Sequence, residues 1–201
     1  GGMGAISPTT VVTPEVAARV ERELLLPTVR GLAAEEIHYR GVLFAGLMIG
    51  ADGAPRLLEY NCRFGDPETE PIFARWEDDP FPWLHGAAVG RLPDGGPRFS
   101  RRAAVCVVMT AAGYPGKPRT GDTISGLAEA EALADVIVFH AGTRRDGGRL
   151  VTAGGRILAV TALGDEPAAA RARAYEAVAL IRWDGAHYRR DIGLRTVERK
   201  A

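Results

Sequence analysis

GVLFAGLMIGADGAPRLLEYN, Gly41 to Asn61, decides how this chain is to be read. Two apolar runs flank Asp52-Gly53, and Asp-Gly in that setting marks a β-hairpin turn, because glycine accepts the positive φ that such turns require. The run Val42 to Ile49 is apolar on both faces, which predicts a central strand. Its partner should run to Asn61. CRFGDPETEP, Cys62 to Pro71, follows at once and sets a guanidinium and three acids beside Glu59 and Asn61.

Working outward, Thr13-Pro14-Glu15 reads as an N-cap, a first-turn proline and a first-turn acid. Val16, Val20, Leu24 and Leu25 then recur at helical spacing. Pro27 should kink this helix or start a second one that carries on to about Glu36. Two short helices are expected between Pro67 and Val89, separated by Asp78-Asp79-Pro80. LPDGGPRF, from Leu92, is the densest Pro/Gly segment and the candidate domain boundary. Beyond it AAVCVVMTAA, VIVFHAGT, RLVTAGG and RILAVTAL read as strands, and Asp165 to Ile181 as one long helix. The expected class is α+β, with domains at 1–93 and 98–201, the second small and β-rich.

With 201 residues the chain can bury a real core. Lys plus Arg number 25 and Asp plus Glu 25, so no net field favours nucleic acid or an anionic membrane, and the expected target is a small molecule. Cys62 and Cys106 lie in apolar runs, a poor basis for a disulfide framework and compatible with a reducing, cytoplasmic setting. The longest apolar runs, such as Ala103 to Ala112, are too short to span a bilayer, and no basic-then-apolar leader opens the chain. Its first methionine is Met3, inside GGMG, so the chain reads as the tail of something longer.

Side chains alternate along a strand, so Leu57, Glu59 and Asn61 should share one face and Leu58, Tyr60 and Cys62 the other. The Cα atoms of Glu59 and Asn61 should lie about 6.6 Å apart. A carboxylate and an amide oxygen at that span can converge on one hard cation. Magnesium suits such a pair because it keeps one or two carboxylates and lets phosphates complete its shell, which implies a nucleotide. The spacing alone leaves a second reading open, in which both residues decorate a solvated strand edge. Arg63, a rigid fork for carboxylate or phosphate, and the GDPE loop tip the balance toward a site. The Asp66 side chain taken by itself reads as a helix cap ahead of Pro67.

The remaining motifs carry less. GGMG could bring backbone amides close to an anion, or be a tight turn before Pro8. Gly113-Tyr-Pro-Gly116 is read as a plain turn, and His140 as a satisfied strand histidine. His38, His85 and His187 show no ligand spacing. Cys62 is read as a small buried packing residue, with no activating base nearby.

With these residues on the page, the sequence resembles the glycinamide ribonucleotide synthetase family of ATP-grasp ligases. The resemblance rests on GGMGAISP, GLMI, EYNCRFGDPET, GYPGKPRTGD, FHAGT, GGRILAVTALG and RRDIGLR, from end to end of the chain. It implies the rear half of an ATP-grasp domain followed by the family's β-rich C-terminal domain. It also implies ligation of glycine to 5-phosphoribosylamine in purine biosynthesis, driven by ATP through a glycyl phosphate. By that resemblance Glu59 and Asn61 match ligands of Mg²⁺ or Mn²⁺, and Arg63 is the catalytic candidate. Gly1, Gly2, Met3, Gly4, Arg63, Asp66 and Glu68 match substrate-side positions. Glu70 stands where glutamine is expected and Ile6 where an aromatic is usual. The N-terminal substrate domain and the lysine-bearing lid of such ligases have no counterpart here, so the fragment should be inactive alone. Two alternatives remain: a truncated, non-catalytic metal- or nucleotide-binding module, or another ATP-grasp ligase of purine metabolism.

Overall fold

The computed structural model describes residues 2–198. In chain order the elements are β1 (Gly4–Ser7), α1 (Pro14–Val20), a π-helical segment (Glu21–Leu25), α2 (Leu26–Ala34), β2 (Phe44–Ile49) and β3 (Pro55–Asn61). They continue with α3 (Thr69–Arg75), α4 (Phe81–Val89), β4 (Ala103–Thr110), α5 (Leu127–Glu131) and β5 (Val136–His140). The last are β6 (Thr143–Asp146), β7 (Arg149–Thr152), β8 (Arg156–Gly164), α6 (Pro167–Leu180) and α7 (Leu194–Glu198). This is the expected α+β class. No helix among the described residues is long and apolar enough to cross a membrane.

The elements gather into two compact units that are interleaved in sequence. The hairpin unit is Thr9–Gly65 with Glu77–Arg98. The sheet unit takes the residues up to Pro8, then Asp66–Trp76, then the chain from Phe99 onward.

In the hairpin unit the Thr13 side chain accepts from the Val16 amide at 3.3 Å, capping α1 as its sequence predicts. Between Val20 and Leu26 the chain stays helical through the π segment, and Pro27 falls in the first turn of α2 without ending the helix. That helix stops at Ala34, and Glu36 has a φ of 57°. β2 and β3 form the expected antiparallel hairpin. Gly53, at φ 71°, closes the turn, and Asp52 Oδ1 accepts from the Ala54 amide at 3.0 Å. The expectation of a central first strand is corrected: among the described residues β2 pairs with β3 alone, in a two-stranded sheet. An apolar run on both faces does not reveal how many neighbours a strand has. Leu58 at 63% and Met48 at 56% exposure show how little two strands can cover.

The sheet unit is built on β4, all eight of whose residues are buried. The antiparallel order is β1-β4-β8-β5, and β6 and β7 form a separate hairpin. One face of the sheet carries Val105, Val107, Met109, Leu158, Val160 and Ala162 against the small side chains Ala170, Ala174, Ala177 and Val178 of α6. Small residues let the helix come close. A Cβ on Gly164 would stand 2.4 Å from the Ala170 amide nitrogen, so no other residue fits there without moving α6. The opposite face presents Cys106, Val108 and Ala159 on the side where α3 packs.

α3 is fastened through its last residue. Arg75 donates from Nη1 to the Ser7 hydroxyl at 2.5 Å, from Nη2 to the Ser100 carbonyl at 2.7 Å and from Nε to the Arg102 carbonyl at 2.8 Å. One guanidinium therefore joins β1, α3 and the approach to β4. Trp76 adds a ring cluster, 5.3 Å from Phe73 and 5.4 Å from Phe99 between centroids. Arg75→Met should leave two carbonyls and a hydroxyl short of a charged donor and destabilise the fold by about 2–4 kcal/mol. Urea melts of parent and variant test this. A difference under about 0.5 kcal/mol would show that water replaces the guanidinium freely.

Candidate functional site

Glu59, Asn61 and Arg63 meet in the hairpin unit. A bulge interrupts the β2–β3 register: Gly46 faces Glu59 and Leu47 faces Leu57, so Leu58 has no partner. Beyond the bulge the alternation resumes. Tyr60 turns toward α2, its hydroxyl 2.6 Å from Thr28 Oγ1, which itself donates to the Leu24 carbonyl. Glu59 and Asn61 share the other side, as expected, with Asn61 Nδ2 donating to Glu59 Oε1 at 3.0 Å. Arg63 continues the chain of contacts, donating from Nη2 to Asn61 Oδ1 at 3.2 Å and from Nη1 to the Phe64 carbonyl at 2.7 Å. Gly46 makes the carboxylate's position available, since a Cβ there would press on Glu59 Cγ at 3.2 Å.

Two convergent oxygen-bearing side chains suit a hard cation only if other ligands complete its shell. Among the described residues no group of three or more His, Cys, Asp or Glu could hold a metal without such help. Magnesium suits a pair of this kind, since it keeps one or two protein carboxylates and lets phosphates complete its shell. The Asn61 amide now offers its donor edge to Glu59, so a shared cation requires the amide to present Oδ1 there, away from Arg63.

Gly2, Met3, Gly4, Asp66 and Glu68 belong to the sheet unit, and the sequence cluster divides between the units at Gly65 and Asp66. Gly1 lies outside the described residues. Met3 and Gly4 lead into β1, with the Val108 amide donating to the Met3 carbonyl at 3.0 Å. Gly4 is glycine for want of space, because a Cβ would lie 2.6 Å from both the Cys106 carbonyl and Ile192. The capping reading of Asp66 is corrected. α3 starts three residues later, at Thr69, and the Asp66 carboxylate is turned to Arg156, with Nη2 donating to Oδ2 at 2.8 Å. Arg156 Nη1 also donates to the Asp66 carbonyl at 3.0 Å and to the Gly2 carbonyl at 3.3 Å. Glu68 occupies the N-cap position of α3 without a side-chain capping bond.

Glu70, in the first turn of α3, encloses its Oε2 without a partner. Burial pushes its carboxyl above the ordinary carboxylate value; its own backbone N–H opposes, the Asp66 and Glu68 charges add to the rise, and Arg156 opposes. Beneath lies Cys106, whose thiol burial pushes up to about 12, a packing group and no nucleophile. The buried-packing reading of Cys62 is overturned: it is exposed, just past the end of β3, beside the Tyr39 hydroxyl. His140 Nδ1 lies 3.0 Å from Thr143 Oγ1, a satisfied strand-end histidine as expected. Sequence reading missed Arg156. It stands in GGRILAVTALG, a run that carries the resemblance without marking any residue for the site, and its partner is 90 residues away.

Known proteins can now be set beside this geometry. The family model described as the phosphoribosylglycinamide synthetase ATP-grasp (A) domain matches residues 1–69, and that of the same enzyme's C domain matches residues 104–195. A phosphoribosylamine–glycine ligase of Vibrio vulnificus is 50% identical over 200 residues, covering 100% of this chain and 46% of the relative. One of Ralstonia nicotianae is 51% identical over 199 residues, covering 99% and 47%. The crystal structure of phosphoribosylamine–glycine ligase from Thermotoga maritima superposes with a TM-score of 0.82 at 35% identity, covering 95% of this chain and 46% of that one. The chain thus spans about half the length of the curated relatives it matches.

The Glu70 environment has a signed pH consequence. The unfolded chain ionises this carboxyl near 4.5, whereas the folded chain holds its proton to higher pH. Stability is therefore complete below the unfolded value and is lost as pH rises through the raised folded value. Glu70→Gln should melt higher than the parent near neutral pH, by no more than about 2 °C because the group is half exposed to screening solvent. The two should coincide below the unfolded value. Thermal melts across that range decide it, and an equal offset at every pH would assign the effect to packing instead.

Proposed function

Because the chain belongs to the phosphoribosylglycinamide synthetase family, we propose that it is the C-terminal portion of a phosphoribosylamine–glycine ligase. Residues 1–93 are then the rear of its ATP-grasp domain and 98–201 its C-terminal domain. The reaction joins glycine to 5-phosphoribosylamine, with ATP first phosphorylating the glycine carboxylate and the ribosylamine then displacing phosphate to give glycinamide ribonucleotide, ADP and phosphate. It serves de novo purine biosynthesis in the cytoplasm. The observation that carries this reading is the convergent Glu59–Asn61 pair, 3.0 Å apart at the end of β3, with Arg63 two residues beyond it.

Within that reading each residue has a task. Glu59 and Asn61 hold Mg²⁺ or Mn²⁺. The ion supplies charge compensation on the phosphates of ATP during transfer. Arg63 orients a carboxylate or acyl-phosphate oxygen with its planar fork. Asp66 and Glu68 offer acids to a substrate amine, and the Gly1 to Gly4 segment matches the loop near the phosphoribosyl group. Positioning is most of such catalysis, and for that reason the segment that relatives carry beyond this chain is required for turnover.

In the protein completed by the N-terminal portion of its relatives, Glu59→Gln should lower turnover by roughly 100-fold and be partly rescued by excess divalent metal. On this chain, manganese titration followed by electron paramagnetic resonance should show the parent binding and the variant not. Arg63→Lys keeps charge but loses the fork, so the apparent KM for glycine or phosphoribosylamine should rise while the ATP and metal requirements stay put. If Glu59→Gln binds manganese and turns over like the parent, Glu59 only decorates a strand edge and the proposed site is wrong.

A further inference from the structure

Arg156 opens β8, where strict alternation would set it with Leu158, Val160 and Ala162. All three are fully buried beneath α6. The register avoids this. Met109 faces Leu158 and Thr110 faces Arg156, which leaves Ile157 unpaired. Ile157 and Leu158 therefore both enter the α6-side core, and Arg156 emerges on the opposite face, with Ala159 and Thr161, where α3 and the Asp66 turn lie. A bulge that re-aims one side chain is a costly device, and such bulges gather beside functional sites. The backbone around it is held firmly. The Ala111 amide donates to the Gly155 carbonyl at 2.9 Å, the Gly142 amide to the Arg156 carbonyl at 2.9 Å, and the Tyr114 ring packs so closely that a Cβ on Gly155 would meet it at 2.8 Å.

From this anchor the guanidinium reaches two segments distant in sequence, and its side chain is only 24% exposed. Nη2 takes Asp66 Oδ2, and Nη1 is shared between the Asp66 and Gly2 carbonyls. One oxygen of the carboxylate is thereby fixed, on a residue that is itself exposed. We propose that Arg156 is a positioning residue of the ligation: it locks the Gly2 loop and the Asp66 turn in one register and presents Asp66 Oδ1 to the amine of a substrate. This rests on the reading of those two segments as substrate-facing. A lysine cannot substitute, since one ammonium offers no planar fork with two donors at fixed spacing.

The test uses Arg156→Gln, Arg156→Lys and Asp66→Asn in the completed protein. Arg156→Gln should raise the apparent KM for glycine or phosphoribosylamine about tenfold while the KM for ATP stays within about twofold. Arg156→Lys should recover the thermal midpoint but not that KM. The double variant Arg156→Gln with Asp66→Asn should cost no more than the larger single change, as expected for residues acting as one unit. Independently of any activity, hydrogen exchange followed by mass spectrometry should be faster in the Arg156→Gln variant at residues 2–4 and 66–68. Unchanged KM values, a KM for ATP that rises in step, or Arg156→Lys kinetics equal to the parent's would each overturn the proposal. If the parent shows no ligase activity, the proposed function fails, and the exchange measurement still decides: unchanged exchange at both segments overturns the positioning role.

Discussion

The two-sided burial of β4 is the constraint on which the sheet unit depends. Eight consecutive residues without access to water can neither slip nor flip, because a one-residue shift would exchange the side chains beneath α6 for those beneath α3. Hydrogen bonding then fixes the neighbours. β1 pairs Gly4 with Val107 and Ser7 with Ala104, so the glycine loop at the start of the chain inherits its place from the most buried strand. β8 pairs along the other edge and delivers Arg156. α3, clamped at its end by Arg75, carries the Asp66 turn into reach of that guanidinium. The glycine loop and the Asp66 turn are thus positioned by a wholly buried apolar strand.

Each unit aims its candidate side chains by breaking strand regularity once. In β3 the unpaired Leu58 resets the alternation just before Glu59, and Gly46 opposite leaves the carboxylate room. In β8 the unpaired Ile157 moves Arg156 out of the core face. The physical logic is the same in both. A regular strand offers a side chain two directions, and a bulge adds a third at the cost of one ladder position. Where charge has to be set against a buried sheet, that added direction lets an arginine stand beside a core without entering it.

What the sequence made legible was local. Thr13 as a cap, Asp52-Gly53 as a turn, Asp78 to Pro80 as a helix break and the strands of the second half all follow from near neighbours, and the structure has each of them. Glu59 and Asn61 on one side were legible from period two, although the bulge means that Leu57 offers no guide to their side. What failed depended on distant residues. Asp66 read as a cap because Pro67 follows it, whereas its actual partner lies 90 positions on. Cys62 read as buried because it lies in an apolar run with no activating base nearby, yet the strand ends at Asn61 and the thiol is exposed. The reaction itself was never readable from spacing, which gave only a cation and a nucleotide; the family resemblance supplied the substrates.

Asp66, Glu68 and Glu70 crowd one turn, and the arrangement shows how three acids coexist there. Asp66 is offset by Arg156, and Glu68 stands at the start of a helix, where unpaired backbone N–H groups favour negative charge. Glu70 has its own backbone N–H and the Arg156 charge on its side, yet its enclosed Oε2 has no partner, and burial outweighs both and raises its carboxyl. An acid that keeps its proton carries one donor and one acceptor on a planar group, much as an amide does. At position 70 the resemblance led to an expectation of glutamine, so the glutamate departs from that pattern little while protonated and more as it ionises. The departure is therefore a function of pH, written into the fold first by the burial of one carboxylate oxygen and then by the like charges of its two neighbours.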